Sequence, residues 1–400
     1  MDIHLCIVTG QPLANLIPLL QEKPERIALL VSATMRGEAE RFVRTLQRAG
    51  WNADAIERID DLPDTGYDDL RLFALDVEER LHARHPLARL HYNTTGGNKL
   101  MALAFFEAFA GQGHRVYYTD TAHQRIERLH PPAPPEPMHS VLDLELALKA
   151  EGKTLRQRLD GDDNWRERAR QRKPLSRLLG EQSEALDDLI GLFNRQLGGA
   201  ANRGNTVLEL VHSPRGQWRA ALELAETLEL LNRESSDGRH FRLVDEEARR
   251  YLTGGWLEEF VWHAAYDQAA EDVAIGLQFT DDSASRADLR NEVDVVILHH
   301  NRLLLIECKS GRLGNDDQRD ADIIYKLDSL ATQAGGAFGE RLLVSAQPLR
   351  HETRKGRKVD TRARAGSHAI RTCEATQLRE LRQWLRAWLN DGKWPSPTQP

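Results

Sequence analysis

Four hundred residues exceed what a single hydrophobic core usually serves, so two or three domains are expected. Hydrophobic residues at 40% and charged residues at 29% describe a globular chain and exclude collagen, mucin-like and wholly disordered sequences. The net charge of −7 argues against nonspecific coating of nucleic acid, and Cys6, Cys308 and Cys373 match neither a disulfide framework nor a zinc ribbon.

Apolar runs such as Leu303 to Ile306 fall far short of the ~20 residues a membrane helix needs, so no membrane partner is expected. The opening MDIHLCIVTG has no basic segment and no small-residue cleavage site. It reads as a core strand, and the expected location is cytoplasmic.

The first 130 residues alternate short apolar runs with helix-period segments. Strands are expected at Ile3 to Val8, Ile27 to Val31, Ala88 to Tyr92 and Arg115 to Tyr118. Helices are expected at Pro12 to Gln21, Gly37 to Gly50, Tyr67 to Arg84 and Lys99 to Ala110. This alternation implies βαβ units and a Rossmann-like parallel sheet whose ligand lies beyond the carboxyl ends of its strands. PPAPPEP, Pro131 to Pro137, is expected to break regular structure. Glu151 to Pro174, charged and poor in apolar residues, reads as a connector. Helices at Glu181 to Leu197 and Gln217 to Asn232, the strand HFRLV and a helix capped by Asp245 fit a small winged-helix-like unit. After Gly254 and Gly255, helix, strand, hairpin, helix and strand succeed one another as a second α/β core. The expected division is a Rossmann-like domain at 1–145, a mostly helical segment at 146–252 and a second α/β domain at 253–400.

NEVDVVILHHNRLLLIECKSG reads as two strands about a two-residue turn at His300 and Asn301. That register sets Asp294 opposite Glu307 and Glu292 opposite Lys309. Period-two alternation sends all four to one face, while Val293, Val295, Ile306 and Cys308 take the other. Cross-strand salt bridges account for Glu292 with Lys309 but leave Asp294 against Glu307 uncompensated. A divalent cation resolves that repulsion: Asp294, Glu307 and the Cys308 carbonyl are hard oxygen ligands suited to Mg²⁺ or Mn²⁺, with Lys309 beside them to orient water or stabilise phosphorane charge. His299 and His300 read as exposed turn residues. His82 and His85 read as helix-surface residues without a cluster to suggest zinc.

LHYNTTGGNKLMALAFF runs from strand through glycines into an apolar helix. The N–H groups of Thr95, Gly96, Gly97 and Asn98, with Lys99, favour an anion, although both the Walker and GxGxxG spacings are absent. The same rim collects Thr9, Gly10 and Gln11 and the segment around Thr34, and Gln11 and Asn15 are polar groups able to read a base or ribose. Between Arg350 and Arg371 eight Lys or Arg face only Glu352 and Asp360, a basic window fit either for substrate backbone or for solvent.

The Asp294, Glu307 and Lys309 hairpin resembles the PD-(D/E)xK nuclease superfamily. That resemblance implies phosphodiester cleavage with metal help and offers Glu258 on the preceding helix as a further carboxylate, a solvated helix glutamate being the alternative; Lys326 is either a phosphate contact or a surface lysine. With QPxxNL at Gln11 to Leu16, NTTGGNK at Asn93 to Lys99 and GGWLEEFV at Gly254 to Val261, the chain resembles CRISPR-associated ancillary nucleases. In these a CRISPR-associated Rossmann-fold (CARF) sensor is fused to such a nuclease domain. The resemblance implies a homodimer that binds cyclic oligoadenylate, most often cyclic tetra-adenylate, and then cleaves DNA, RNA or both, single-stranded or nicked. A winged-helix transcription regulator and a ring nuclease that degrades its own activator remain as alternatives.

Overall fold

A computed structural model describes residues 1–198, 204–282, 290–313, 317–352 and 358–395. The chain divides into two compact units. The first comprises Met1–Leu155, Asp281–Ala287 and Gln333–Phe338; the second comprises Arg156–Thr280, Asp288–Thr332 and Gly339–Pro400.

In the first unit the chain runs β1 (Asp2–Ile7), α1 (Leu13–Glu22), β2 (Arg26–Ser32), α2 (Arg36–Arg48), β3 (Ile56–Leu62), α3 (Tyr67–Arg84), β4 (Arg89–Asn93), α4 (Lys99–Gly111), β5 (Arg115–Asp120), β6 (Arg125–His130), β7 (Ala133–Pro137) and α5 (Leu144–Ala150). The strands form one sheet in the order β3-β2-β1-β4-β5-β6-β7, parallel from β3 to β5 and antiparallel thereafter. Ile3, Leu5 and Ile7 of β1 and Leu90 and Tyr92 of β4 pack against Leu70, Ala74, Val77 and Leu81 of α3 and Phe105 and Phe109 of α4. The spacing of those α3 residues is one helix face. Truncating Phe105 to alanine would cost ~3–5 kcal/mol by leaving a cavity in that layer.

PPAPPEP does not break the sheet as expected, because β7 pairs with β6 at the edge, where proline withdraws no ladder donor that the sheet needs. Strands β3 and β6 escape the sequence pattern because their charged residues, such as Glu57, Arg58, Asp60 and Glu127, interrupt the apolar run.

The chain continues with β8 (Lys153–Gln157), α6 (Asp163–Glu181), α7 (Asp187–Gln196), β9 (Val207–Glu209), α8 (Gly216–Thr227), β10 (Leu231–Arg233), β11 (His240–Leu243), α9 (Glu246–Arg250) and α10 (Trp256–Tyr266). Glu151 to Pro174 is therefore no bare connector. Trp165, Ala169, Leu175 and Leu179 of α6 join the core at helical spacing, and Arg172 is buried on the same face by ion pairs to Glu259 (2.5 Å) and Glu247 (2.8 Å). Three strands, not one, form an antiparallel sheet in the order β10-β11-β9. Asp245 caps α9 by accepting the Ala248 N–H at 2.7 Å.

The remaining elements are β12 (Asp272–Asp281), β13 (Arg290–His299), β14 (Arg302–Lys309), α11 (Asp317–Gly335), β15 (Gly339–Ser345), β16 (Arg350–Glu352), β17 (Lys358–Asp360), α12 (Thr361–Ser367), β18 (Arg371–Cys373) and α13 (Leu381–Asp391). A six-stranded sheet runs β18-β15-β14-β13-β12-β8, antiparallel from β12 to β14 and parallel from β14 to β18. One face, with Val295, Ile297, Leu304, Ile306 and Val344, shares a core with Trp256, Leu257 and Val261 of α10 and Trp384 and Trp388 of α13. The chain is thus mixed α/β throughout, with a helix-rich stretch between two sheets.

Candidate functional site

The hairpin folds in the expected register, Val295 opposite Ile306 through His299 opposite Arg302. Its turn residues, His300 (φ 48°) and Asn301 (φ 60°), both adopt the left-handed region, as a type I′ turn requires. His300 is exposed, but His299 is not. The His299 side chain is 15% exposed, its ring stacks on His300 at 4.2 Å, and Glu271 lies 3.6 Å away.

Just past the last ladder pair, the Asp294 side chain substitutes for a strand carbonyl: its Oδ2 accepts the Cys308 N–H at 2.7 Å. This fixes Asp294 against the segment that carries Glu307, which is itself 5% exposed. Lys309 Nζ contacts Glu307 Oε1 at 2.5 Å. The lysine therefore pairs along its own strand and not across to Glu292, which is exposed and opposite Gln278 of β12.

Burial first, and then the Glu307 charge, push the Asp294 carboxyl above its ordinary range, against the pull of Lys309, the Cys308 N–H and Lys326. Burial and then Asp294 likewise push Glu258 up, with Glu292 and Glu307 adding to the repulsion and Lys309 opposing it. Burial works against the Lys309 ammonium, but Glu307 and Asp294 outweigh it and hold that group above its usual value. The structure thus brings Glu258, Asp294, Glu307 and Lys309 into one electrostatic cluster, with Glu292 at its rim and Lys326 within its field. Neighbouring Glu259 points elsewhere and is spent on Arg172.

Among the described residues Glu258, Glu292, Asp294 and Glu307 outnumber the ammonium groups of Lys309 and Lys326 in this field, which leaves a negative centre whose donors are hard oxygens. That combination fits a divalent cation of the Mg²⁺ or Mn²⁺ type. The buried Cys308 thiol is pushed up by burial and stays protonated, so the Cys308 candidate ligand is its carbonyl.

The same neighbourhood contains residues that spacing does not single out. Ser310 Oγ donates to the Thr253 carbonyl at 2.9 Å and lies 3.1 Å from Asn194 Oδ1. Arg312 reaches Asp187 at 3.0 Å and Gln347 at 3.3 Å. Ser310 and Arg312 follow Lys309 closely, a signal that was available; Asn194 and Gln347 arrive by tertiary packing alone. Of the basic window, Arg354, Lys355 and Arg357 lie outside the described residues. Arg371 is held over the Trp394 ring at 5.4 Å, and Arg362 sits 3.5 Å from Glu374.

In the first unit a neutral amide network shapes the glycine loop. Asn15 Nδ2 donates to the Ile7 carbonyl at 2.9 Å, and Asn93 Nδ2 donates to Asn15 Oδ1 at 3.1 Å. Asn93 Oδ1 accepts from both the N–H and hydroxyl of Thr95, whose oxygen accepts the Thr119 N–H at 2.7 Å. Gly96 is required here: a Cβ would sit 2.1 Å from the Ile7 carbonyl oxygen. Asn98 caps α4, accepting the Met101 N–H at 3.0 Å, while its amide donates to the Asp64 carbonyl at 2.8 Å.

Two expectations change. Asn15 is 1% exposed and reads no base, because its amide is consumed in holding the loop. The N–H groups of Thr95 and Asn98 are likewise spent, on Asn93 and the Met101 sulfur. The groups left at the surface are Gln11, Thr34, Gly97 and Lys99, with Thr9 partly exposed. Thr34 lies 3.2 Å from the Ser32 hydroxyl.

A Rossmann-like sheet followed by a hairpin that gathers carboxylates and a lysine defines a protein of nuclease type with a separate α/β unit, and comparison with known proteins agrees. Residues 3–146 match the Card1 CARF domain, and residues 245–391 match the Card1-like endonuclease domain. The chain belongs to the Card1-like family, in which a CARF domain is joined to an endonuclease domain. Can2 from Sulfobacillus thermosulfidooxidans, solved with cyclic tetra-adenylate, is 23% identical with a TM-score of 0.74, covering 98% of this chain and 100% of that one. Protein VC1899 from Vibrio cholerae is 19% identical with a TM-score of 0.81, covering 98% and 99%. A type III CRISPR defence DNA nuclease activated by cyclic oligoadenylate is 17% identical with a TM-score of 0.52, covering 86% and 45%. None of the curated proteins compared with the sequence matches it. No helix among the described residues is long and apolar enough to cross a membrane.

Proposed function

We propose that this protein is a CRISPR defence effector, a metal-dependent endonuclease that cleaves DNA, RNA or both once cyclic tetra-adenylate binds across a CARF homodimer. The observation that carries the reading is the cluster of Glu258, Asp294 and Glu307 around the Lys309 ammonium in an endonuclease domain. Asp294, Glu307 and the Cys308 carbonyl would hold Mg²⁺ or Mn²⁺. When bound, such a cation supplies Lewis-acid polarisation of a phosphate and a water of lowered pKa.

The protein's own groups do the rest. The Cys308 N–H anchors Asp294, so its free oxygen is presented without rotamer search. Glu307 holds the Lys309 ammonium at the point where charge develops on a scissile phosphate. Glu258, protonated more readily than an ordinary carboxyl, can carry a proton toward the leaving oxygen.

For the sensor, Thr9, Gln11, Thr34, Gly97 and Lys99 are the proposed ligand contacts, with Thr95, Gly96 and Asn98 shaping the loop that presents them. The Can2 complex supports cyclic tetra-adenylate as that ligand. A cyclic, repeated molecule suits a twofold site to which each subunit contributes the same loop. The test is a cleavage assay on labelled single-stranded and supercoiled substrates, with cyclic oligoadenylates of each ring size and with Mg²⁺, Mn²⁺ or EDTA. The expected result is cleavage only with metal and cyclic tetra-adenylate together. Cleavage that proceeds in EDTA, or that ignores every cyclic oligoadenylate, overturns the reading.

A further inference from the structure

We infer that the CARF domain carries a second metal site, for Zn²⁺ or a similar transition-metal ion, formed by Glu78, His82 and His114. Glu78 and His82 are one turn apart on α3, and so share a face; His114 sits between α4 and β5. Glu78 Oε1 is 2.8 Å from His82 Nδ1 and 2.8 Å from His114 Nε2. The sequence offers no sign of this, because His114 lies 32 residues beyond His82 and the carboxylate precedes both.

Three groups of His and carboxylate residues occur among the described residues, and chemistry separates them. In the buried trio His4, Glu22 and His91, Arg128 and Arg115 reach the Glu22 carboxylate at 3.1 Å and 3.5 Å, and two guanidinium charges repel a cation. In Glu271, His299 and His300 the imidazoles stack on one another and stand 3.6 Å and 3.8 Å from the carboxylate. Glu78 instead forms its ion pairs with the two imidazoles, and no guanidinium shares its carboxylate among the described residues. Two nitrogens converge on one oxygen, and the His82 side chain remains 37% exposed, leaving room for a water as fourth ligand.

The donor set, two imidazoles and one carboxylate, is that of zinc and its neighbours and not that of Mg²⁺. Tetrahedral metal–ligand bonds of about 2.0–2.2 Å separate their donors by a little over 3 Å, so small side-chain rotations seat the ion. The ion needs the facing nitrogens, His82 Nδ1 and His114 Nε2, free of protons, so an imidazole that donates to Glu78 must release that proton or carry it on the other ring nitrogen. The bound ion would fasten α3 to the turn that leads into β5.

The test uses the full chain, stripped with EDTA and dialysed against Zn²⁺ in excess Mg²⁺. One tightly held zinc per chain is expected, and Co²⁺ in its place should give a visible d–d spectrum. Both should be lost in His114→Gln and weakened at least tenfold in Glu78→Gln, with circular dichroism reporting the fold. Anomalous diffraction from zinc-soaked wild-type crystals needs no substitution and should place the ion between the three side chains. Zinc found only at Asp294 and Glu307, or the same zinc stoichiometry in His114→Gln, overturns the proposal.

Discussion

The glycine loop of the first unit and the acid hairpin of the second are both strand-end constructions, yet they treat polarity in opposite ways. Around Gly96 the buried amides of Asn15 and Asn93 find partners, and only loop tips such as Gln11 and Lys99 remain for a ligand. Around Asp294 the charges are left in conflict, with carboxylates raised by burial and by each other. A satisfied network gives a rigid frame for recognition, because a buried polar group left without a partner costs ~1–3 kcal/mol. A frustrated cluster stores an affinity that an ion can release. Under the proposed function, the contrast separates holding a ligand from performing chemistry.

The largest expected effect comes from removing the frustrated charges. Glu307→Gln, Asp294→Asn and Lys309→Ala should each lower cleavage at least about 10²-fold while activator binding persists, because removing a ligand or the ammonium costs a few kcal/mol of barrier. Near wild-type turnover of Glu307→Gln in saturating Mn²⁺ would falsify the site. In the loop, Lys99→Ala should raise the activator concentration for half-maximal cleavage by roughly tenfold, one charge-assisted interaction being worth ~1.4 kcal/mol, with the maximal rate retained. An activation curve that superimposes on wild type removes Lys99 from the ligand site.

The comparison also predicts a pH signature. Because folding raises the pKa of Asp294 and Glu258, the metal-free protein binds more protons folded than unfolded. Their contribution to stability is therefore present in acid and lost as pH rises through those raised values. Asp294→Asn should stabilise the metal-free protein at pH 8 by on the order of 1–2 kcal/mol, read as a rise in Tm, and Mg²⁺ should reverse the ranking. A destabilised Asp294→Asn would show that the Cys308 hydrogen bond outweighs the repulsion. The smallest effect is expected from the basic window: neutralising Arg354, Lys355, Arg357 and Lys358 should flatten the salt dependence of single-strand binding by about 0.7 for each phosphate these side chains cease to neutralise. An unchanged slope would assign these residues to solvent.

Much of this was legible because the hairpin is local. A turn that accepts two left-handed residues, alternation on both strands and charges at fixed offsets determine which side chains meet. Helix α3 was legible end to end for the same reason, its apolar residues repeating on one face. What escaped depends on partners distant in sequence. The α6 segment reads as a polar connector until Glu259 arrives to neutralise Arg172 and let that face be buried. Asn15 reads as a ligand contact until the Ile7 carbonyl claims it, and His82 as a surface residue until Glu78 and His114 gather around the same point. Lys309 found Glu307 because an ion pair along the strand survives where the cross-strand ladder ends.

The left-handed pair His300 and Asn301 also sets a timetable. Strands joined by so short a turn meet at little entropic expense, whereas β14 must wait for all of α11 before β15 can dock beside it. The nascent hairpin therefore confronts its carboxylates early, before the parallel strands have added their support. Ions or acid that quiet this repulsion should speed refolding as well as stabilise the product. In stopped-flow experiments the folding limb of the chevron should rise with Mg²⁺ in wild type and lose that response in Asp294→Asn, making the acid hairpin a pacemaker of its own assembly.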